Sequence, residues 1–196
     1  LMTGFFRFFL VSLVISFGVA NFGNADVFDC SKADTEFKVC DDTELGDFAD
    51  FKFEDFKVNI TKVSTYKMPD FDGRDKGARG FRTRIKDGIK DGVNFSGKYS
   101  LIQIGCGTSC ASVYLADVTT GEVFGFPYGG ESEWELNLEY FPDSRLIWAQ
   151  WRFQRPDVYN SENEFLGMCI FQELEWNNSE FIILSETKFE TTGYCN

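Results

Sequence analysis

Six cysteines carry most of the chemistry this sequence offers, and two of them stand close together in G-C-G-T-S-C, residues 105–110. Thiols at that spacing form either a redox centre or a structural staple. A reactive thiol needs a depressed pKa from a helix N-terminus or a nearby cation. Cys106 and Cys110 instead have neutral neighbours, flanked by apolar runs that read as strands. A staple is therefore expected. A disulfide needs Cα atoms within about 7 Å, whereas four extended steps of about 3.3 Å span roughly 13 Å. The chain must fold back between the two strands. Gly105 and Gly107 are suited to the positive φ of such a turn, and Thr108 and Ser109 are turn formers. An even cysteine count in an exported chain reads as a disulfide framework. Local spacing pairs Cys30 with Cys40, Cys106 with Cys110, and Cys169 with Cys195. The paired C-x-x-C knuckles of a four-cysteine zinc site are missing.

The chain contains no histidine. This removes Ser-His-Asp and Cys-His nucleophilic sites, histidine general bases and histidine metal ligands. A hydrolase would have to use carboxylates, a lysine or an N-terminal amine. Glu131, Glu133, Glu135 and Glu139 fall in G-G-E-S-E-W-E-L-N-L-E-Y-F, and two of them could form the carboxylate pair of a glycosidase. Their alternation with Trp134, Leu136 and Leu138 fits the exposed face of a strand at least as well. Partner binding through Glu131, Glu133, Trp134 and Glu135 is expected before catalysis. D-F-D-G-R-D at 70–75 has the opening of a calcium loop, but Arg74 and Phe81 stand where its fifth and twelfth positions need oxygen ligands. A helix cap at Asp72 is expected there instead. No metal ion or cofactor is expected.

The formal net charge is −12. A field of that sign repels phosphates and disfavours nucleic acid. It admits a cationic partner and also serves solubility. The sign reverses between 74 and 91, where seven basic residues meet three acids. At the start, Arg7 is the only charge before Asp26, and residues 8–20 are uncharged. Gly23 and Ala25 provide a small-x-small site, so 1–25 reads as a signal peptide cleaved after Ala25. The apolar run is shorter than the roughly 20 residues of a spanning helix. Residues 26–196 then form a single globular β-rich domain, periplasmic or secreted, with no membrane association once the signal is removed.

The elements that must position these residues follow from periodicity. Strands are predicted at 56–60, 98–105, 111–118, after a turn at Gly121, at 134–138, 145–153, 165–176 and 180–189. A polar hairpin loop is predicted at 155–164. An amphipathic helix is predicted across 71–92, with Ala78, Phe81, Ile85 and Ile89 as its apolar stripe. Gly77, Gly80 and Gly88 each weaken it by about 1 kcal/mol relative to alanine, so it should form only when packed on a sheet. Gly92 is its natural stop. The expected fold class is α+β, a mainly antiparallel β meander of about six to eight strands with one amphipathic helix, disulfide-stapled.

Along 81–151 the chain shows F-R-T at 81–83, N-F-S-G-K-Y at 94–99, G-C-G-T-S-C at 105–110, D-V-T-T-G at 117–121 and D-S-R-L at 143–146. This string resembles a family of uncharacterised exported bacterial proteins with the pattern N-F-x-G-x-Y, G-C-G-x-x-C, D-x-x-T-G and D-S-R-L. The resemblance implies export and no defined activity. Family members often carry histidine where this chain has Lys98, so any role of that histidine is absent here. The expected function is an exported acidic disulfide-containing domain that binds a partner, a cationic protein, in the periplasm or outside the cell. By character alone it compares with the small acidic inhibitors of lysozyme. The alternatives are a carboxylate-dependent hydrolase acting on envelope glycans and a structural envelope component.

Overall fold

The structure, a computed structural model, describes residues 49–159, 161, 165–191 and 195, with side chains for all of these except 154–158, 165 and 166. The expected signal segment, 1–25, and the expected Cys30–Cys40 pair lie outside the described residues.

Among the described residues one α-helix and seven strands follow in chain order: α1 (Arg82–Asp91), β1 (Tyr99–Gly107), β2 (Cys110–Asp117), β3 (Val123–Gly125), β4 (Trp134–Tyr140), β5 (Leu146–Tyr159), β6 (Phe165–Trp176) and β7 (Phe181–Thr191). They form two sheets, ordered β1-β2-β3 and β4-β5-β6-β7, and every pairing is antiparallel. Both are simple meanders, as connections too short for crossover helices require. The expected α+β class is what the chain adopts.

The smaller sheet is the middle layer. Alternate residues of a strand point to opposite faces. Tyr99, Leu101, Val113 and Leu115 turn one way, into a core with Ile147, Ala149 and Trp151 of β5 and Leu174 and Trp176 of β6. Ile102, Ile104, Ala116 and Val118 turn the other way, against Ile85 and Ile89 of α1. Burial of both faces explains why β1 and β2 read as nearly continuous apolar runs. Full burial of each such side chain contributes roughly 1.5–3 kcal/mol, which offsets the weak propensity of a glycine-rich helix. Gly88 is more than a weak spot: a Cβ there would lie 2.6 Å from Ile102 Cγ1. Its bare Cα is what lets α1 lie close on β1.

Four expectations need correction. Residues 56–60 are not a strand. Phe53–Phe56 is a 3-10 turn, Lys57 forms one isolated bridge to Ser144, and Ile60 is 51% exposed. The segment bonds to loops, through Val58 N–H to Asp143 and Thr61 N–H to Gly97, so its period of two meets no ladder. The predicted helix divides into a 3-10 stretch, Lys76–Phe81, and α1. Gly77 and Gly80 both fall in the 3-10 part, where the chain is least suited to α geometry. Asp72 caps nothing: neither helix start has a side-chain cap. The Asp70 carboxylate accepts from the N–H groups of Asp72 and Gly73 instead. Lastly, β5 continues to Tyr159, into the segment predicted as the start of a loop.

Part of the outer face of the larger sheet is covered by residues 50–56. Phe53 packs on Phe141 and Trp148, with ring centroids 4.6 and 4.4 Å away. Glu173, 0% exposed, accepts from the N–H groups of Asp50 and Phe51, both at 2.9 Å, and from Ser185 Oγ at 2.5 Å. At the far end of that face Cys169 joins Cys195, with Cα atoms 5.6 Å apart, in a small cluster with Phe189.

Candidate functional site

The β1–β2 ladder runs from Tyr99↔Asp117 to Gly107↔Cys110, with an irregularity beside Cys106. This brings Cys106 and Cys110 to a Cα separation of 5.1 Å, and they are disulfide-bonded. The turn differs in detail from expectation. Gly107 has φ +145°, but the second left-handed residue is Ser109 at +56°, not Gly105. Cys106 is exposed and Cys110 half-buried. Both described disulfides are of a kind that persists in oxidising, extracytoplasmic compartments.

The acidic stretch that the sequence singled out arches over this hairpin tip. Gly130 N–H donates to Ala111 O at 2.8 Å, and Glu135 N–H donates to Ser109 O at 2.9 Å. At Gly129 a Cβ would run into the Ala111 carbonyl oxygen, so this approach needs glycine. Within the arch, Glu133 Oε2 accepts from Gly129 N–H at 3.1 Å, and Trp134 Nε1 donates to Glu131 O at 2.5 Å. Tyr128 anchors its base. The ring stacks on Trp151 with centroids 4.3 Å apart, and the hydroxyl donates to Gln172 Oε1. Gln172 passes a bond to Glu186 at 2.6 Å, and Lys188 pairs with Glu186. Burial pushes the Tyr128 phenol up, against the Gln172 bond. The Lys188 bond holds the Glu186 carboxyl below its ordinary value, against partial burial and with help from Gln172.

Glu131, Glu133, Trp134 and Glu135 are thus brought together, but not as the alternating face that was expected. A one-residue register shift between Trp134 and Asn137 is a β-bulge. It moves Trp134 off the Leu136–Leu138 side and leaves it 39% exposed. Glu135 takes φ +59°, an uncommon conformation for a non-glycine residue, and its Oε2 is buried with no hydrogen-bond partner. Among the described residues no salt bridge engages Glu131, Glu133 or Glu135. Glu139 stands apart, opposite Trp148 in the β4–β5 ladder.

Two further carboxylates are structural. Asp117 is 4% exposed and accepts from Lys98 Nζ at 2.8 Å, Thr119 Oγ1 at 2.5 Å and Thr119 N–H at 2.8 Å. Burial alone would raise its pKa, but these bonds outweigh burial and hold it below the ordinary aspartate value. The same bond raises Lys98, against burial, and keeps it a cation. Asp75 is the counterpart beneath β3, accepting from Arg74 and from the N–H groups of Asp70 and Val123. Burial again opposes and the hydrogen bonds prevail. Little in the residue pattern marked the Tyr128–Gln172–Glu186 chain or buried Glu173. The one signal was a pair of polar residues, Gln172 and Glu173, inside the apolar run 168–174.

Among the described residues no group of three His, Cys, Asp or Glu is placed to hold a metal ion, and no helix is long and apolar enough to cross a membrane. No family model, curated protein or solved structure matches this chain.

Proposed function

We propose that the protein is an exported acidic domain that binds a basic protein partner through the arch of residues 129–135. Export itself, with cleavage of 1–25 and residence in the periplasm or outside the cell, belongs to this proposal. The observation that carries it is the exposed Trp134 ring set among Glu131, Glu133 and Glu135, with no described cation paired to them, on backbone bonded to the stapled hairpin. Tryptophan ringed by polar groups is the commonest kind of binding hot spot, and a backbone already fixed loses little entropy on association. Uncompensated acids favour a cationic partner and speed its approach.

The test is a titration with lysozyme as a basic probe, at ionic strengths of about 0.01 and 1 M, using the wild type, Trp134→Ala and the double variant Glu131→Gln/Glu133→Gln. Binding that weakens with salt, and by about tenfold or more in Trp134→Ala, supports the proposal. Equal affinity of wild type and both variants, or no binding by this or other basic proteins, overturns it.

A further inference from the structure

We infer that the Cys106–Cys110 bridge is a thiol–disulfide exchange site, opened by a dithiol reductant and closed again without unfolding. The two described disulfides differ in access. Cys169 and Cys195 are 0% and 4% exposed and packed with Phe189. Cys106 is exposed, as are Gly105, Gly107 and Thr108 around it. Exchange requires an attacking thiolate to reach a sulfur, so exposed bridges are the labile ones.

Opening balances with the reductant alone, and closing runs the same exchange in reverse against a small disulfide oxidant, which takes up the two electrons. A reductant thiolate attacks Cys106 Sγ, the S–S bond breaks, and Cys110 leaves as a thiolate that takes up a proton. The second reductant thiol then attacks its own sulfur in the mixed disulfide and releases Cys106. Two electrons pass to the protein, and the reductant becomes a disulfide.

Two features give the site its character. Seven ladder pairs, from Tyr99↔Asp117 to Gly105↔Ala111, hold β1 to β2 beside the bridge. The freed thiols stay adjacent, so once a disulfide oxidant has accepted one of them as a mixed disulfide, the other displaces it intramolecularly at a high effective concentration. No lysine or arginine lies in 99–117, and the arch bonded to Ser109 brings glutamates. Such surroundings disfavour a thiolate, so the bridge is the target of a reductant and not the attacking centre of an oxidoreductase. Ser109 is both the left-handed residue of the turn and the acceptor for Glu135 N–H. Opening the bridge therefore loosens the arch. That this changes partner binding rests on the function proposed above; the exchange itself does not.

The full chain is treated under native conditions with limiting dithiothreitol, quenched at intervals with iodoacetamide, and mapped by peptide mass spectrometry. The expected result is alkylation of Cys106 and Cys110 about tenfold or more faster than of Cys169 and Cys195, and loss of that labelling when the reduced protein is transferred to oxidised glutathione before the quench. Equal rates, or faster labelling of Cys169 and Cys195, overturn the assignment. Amide exchange in 129–135 should rise in the reduced protein and in Cys106→Ser/Cys110→Ser, with β5 and β6 unchanged. Unaltered exchange in the arch overturns the coupling. Selective reduction by a chain that binds no basic probe in either state overturns the binding function and leaves the exchange site standing.

Discussion

The ammonium of Lys98 donates a 2.8 Å hydrogen bond to the buried carboxylate of Asp117, across the end of the ladder where Tyr99 faces Asp117. Asp117 also accepts from Thr119 and Thr120. One carboxylate thus ties the entry to β1 to the turn between β2 and β3, joining two separate stretches of sequence, G-K-Y and D-V-T-T-G.

Asp117→Asn should lower stability by about 2 kcal/mol, the scale of a hydrogen-bonded charge that loses its partner, measured by urea unfolding. The pH dependence follows from the lowered pKa of Asp117 and Asp75. A carboxylate depressed in the fold contributes stability that is full above its unfolded value, about 4, and is lost as pH falls through the lower folded value. Wild-type stability should hold above pH 4 or so and decline steadily below it. The decline should be shallower in Asp117→Asn.

Gly88→Ala sets two effects against each other. Alanine gains about 1 kcal/mol of helix propensity, but its Cβ meets Ile102 at 2.6 Å, and overpacking costs about 1–3 kcal/mol. Net destabilisation is expected, because Ile102 is only 7% exposed and has no open side to move into. The double variant Gly88→Ala/Ile102→Val should be less destabilised than the sum of the two single variants. Additivity in calorimetry would remove the close contact as the cause.

Glu173→Gln replaces a carboxylate that binds two N–H groups with separate oxygens by an amide with one acceptor. One N–H then faces a donor. A loss of about 1–3 kcal/mol is expected. Amide exchange at Asp50 and Phe51 should rise well before exchange in β6 does. Uniform acceleration across the sheet would show global weakening instead of release of this segment.

The two bridges should differ in their effect on stability. On a loop-entropy scale, a separation of 26 residues corresponds to about 3.5 kcal/mol and one of 4 to about 2 kcal/mol. Cys169→Ala/Cys195→Ala should be the more costly pair in thermal unfolding. The order would reverse only if the hairpin, and not the tail, were the point on which the fold depends.

Several features were determined by the sequence itself because their causes are local. The strands of β1, β2 and β6 are dense in β-branched and aromatic residues. Six cysteines at uneven spacing already favoured two of the observed pairs. Gly92 ends α1 where expected. In each case the deciding physics, side-chain period, turn chemistry or loop length, acts within a few residues. What the sequence left undecided depends on contacts between distant segments. Phe56, Val58 and Ile60 alternate as a strand should, but no partner strand lies beside them. Gly88 reads as a helix weakness until Ile102 is placed against it. Trp134 reads as inward-facing until the bulge before Asn137 turns it out. Glu173 carries no mark in the sequence of the Asp50 and Phe51 N–H groups it binds. Alternation specifies which residues share a face. Only the tertiary structure decides what each face meets, because burial, pairing and the fate of a buried charge are properties of both partners.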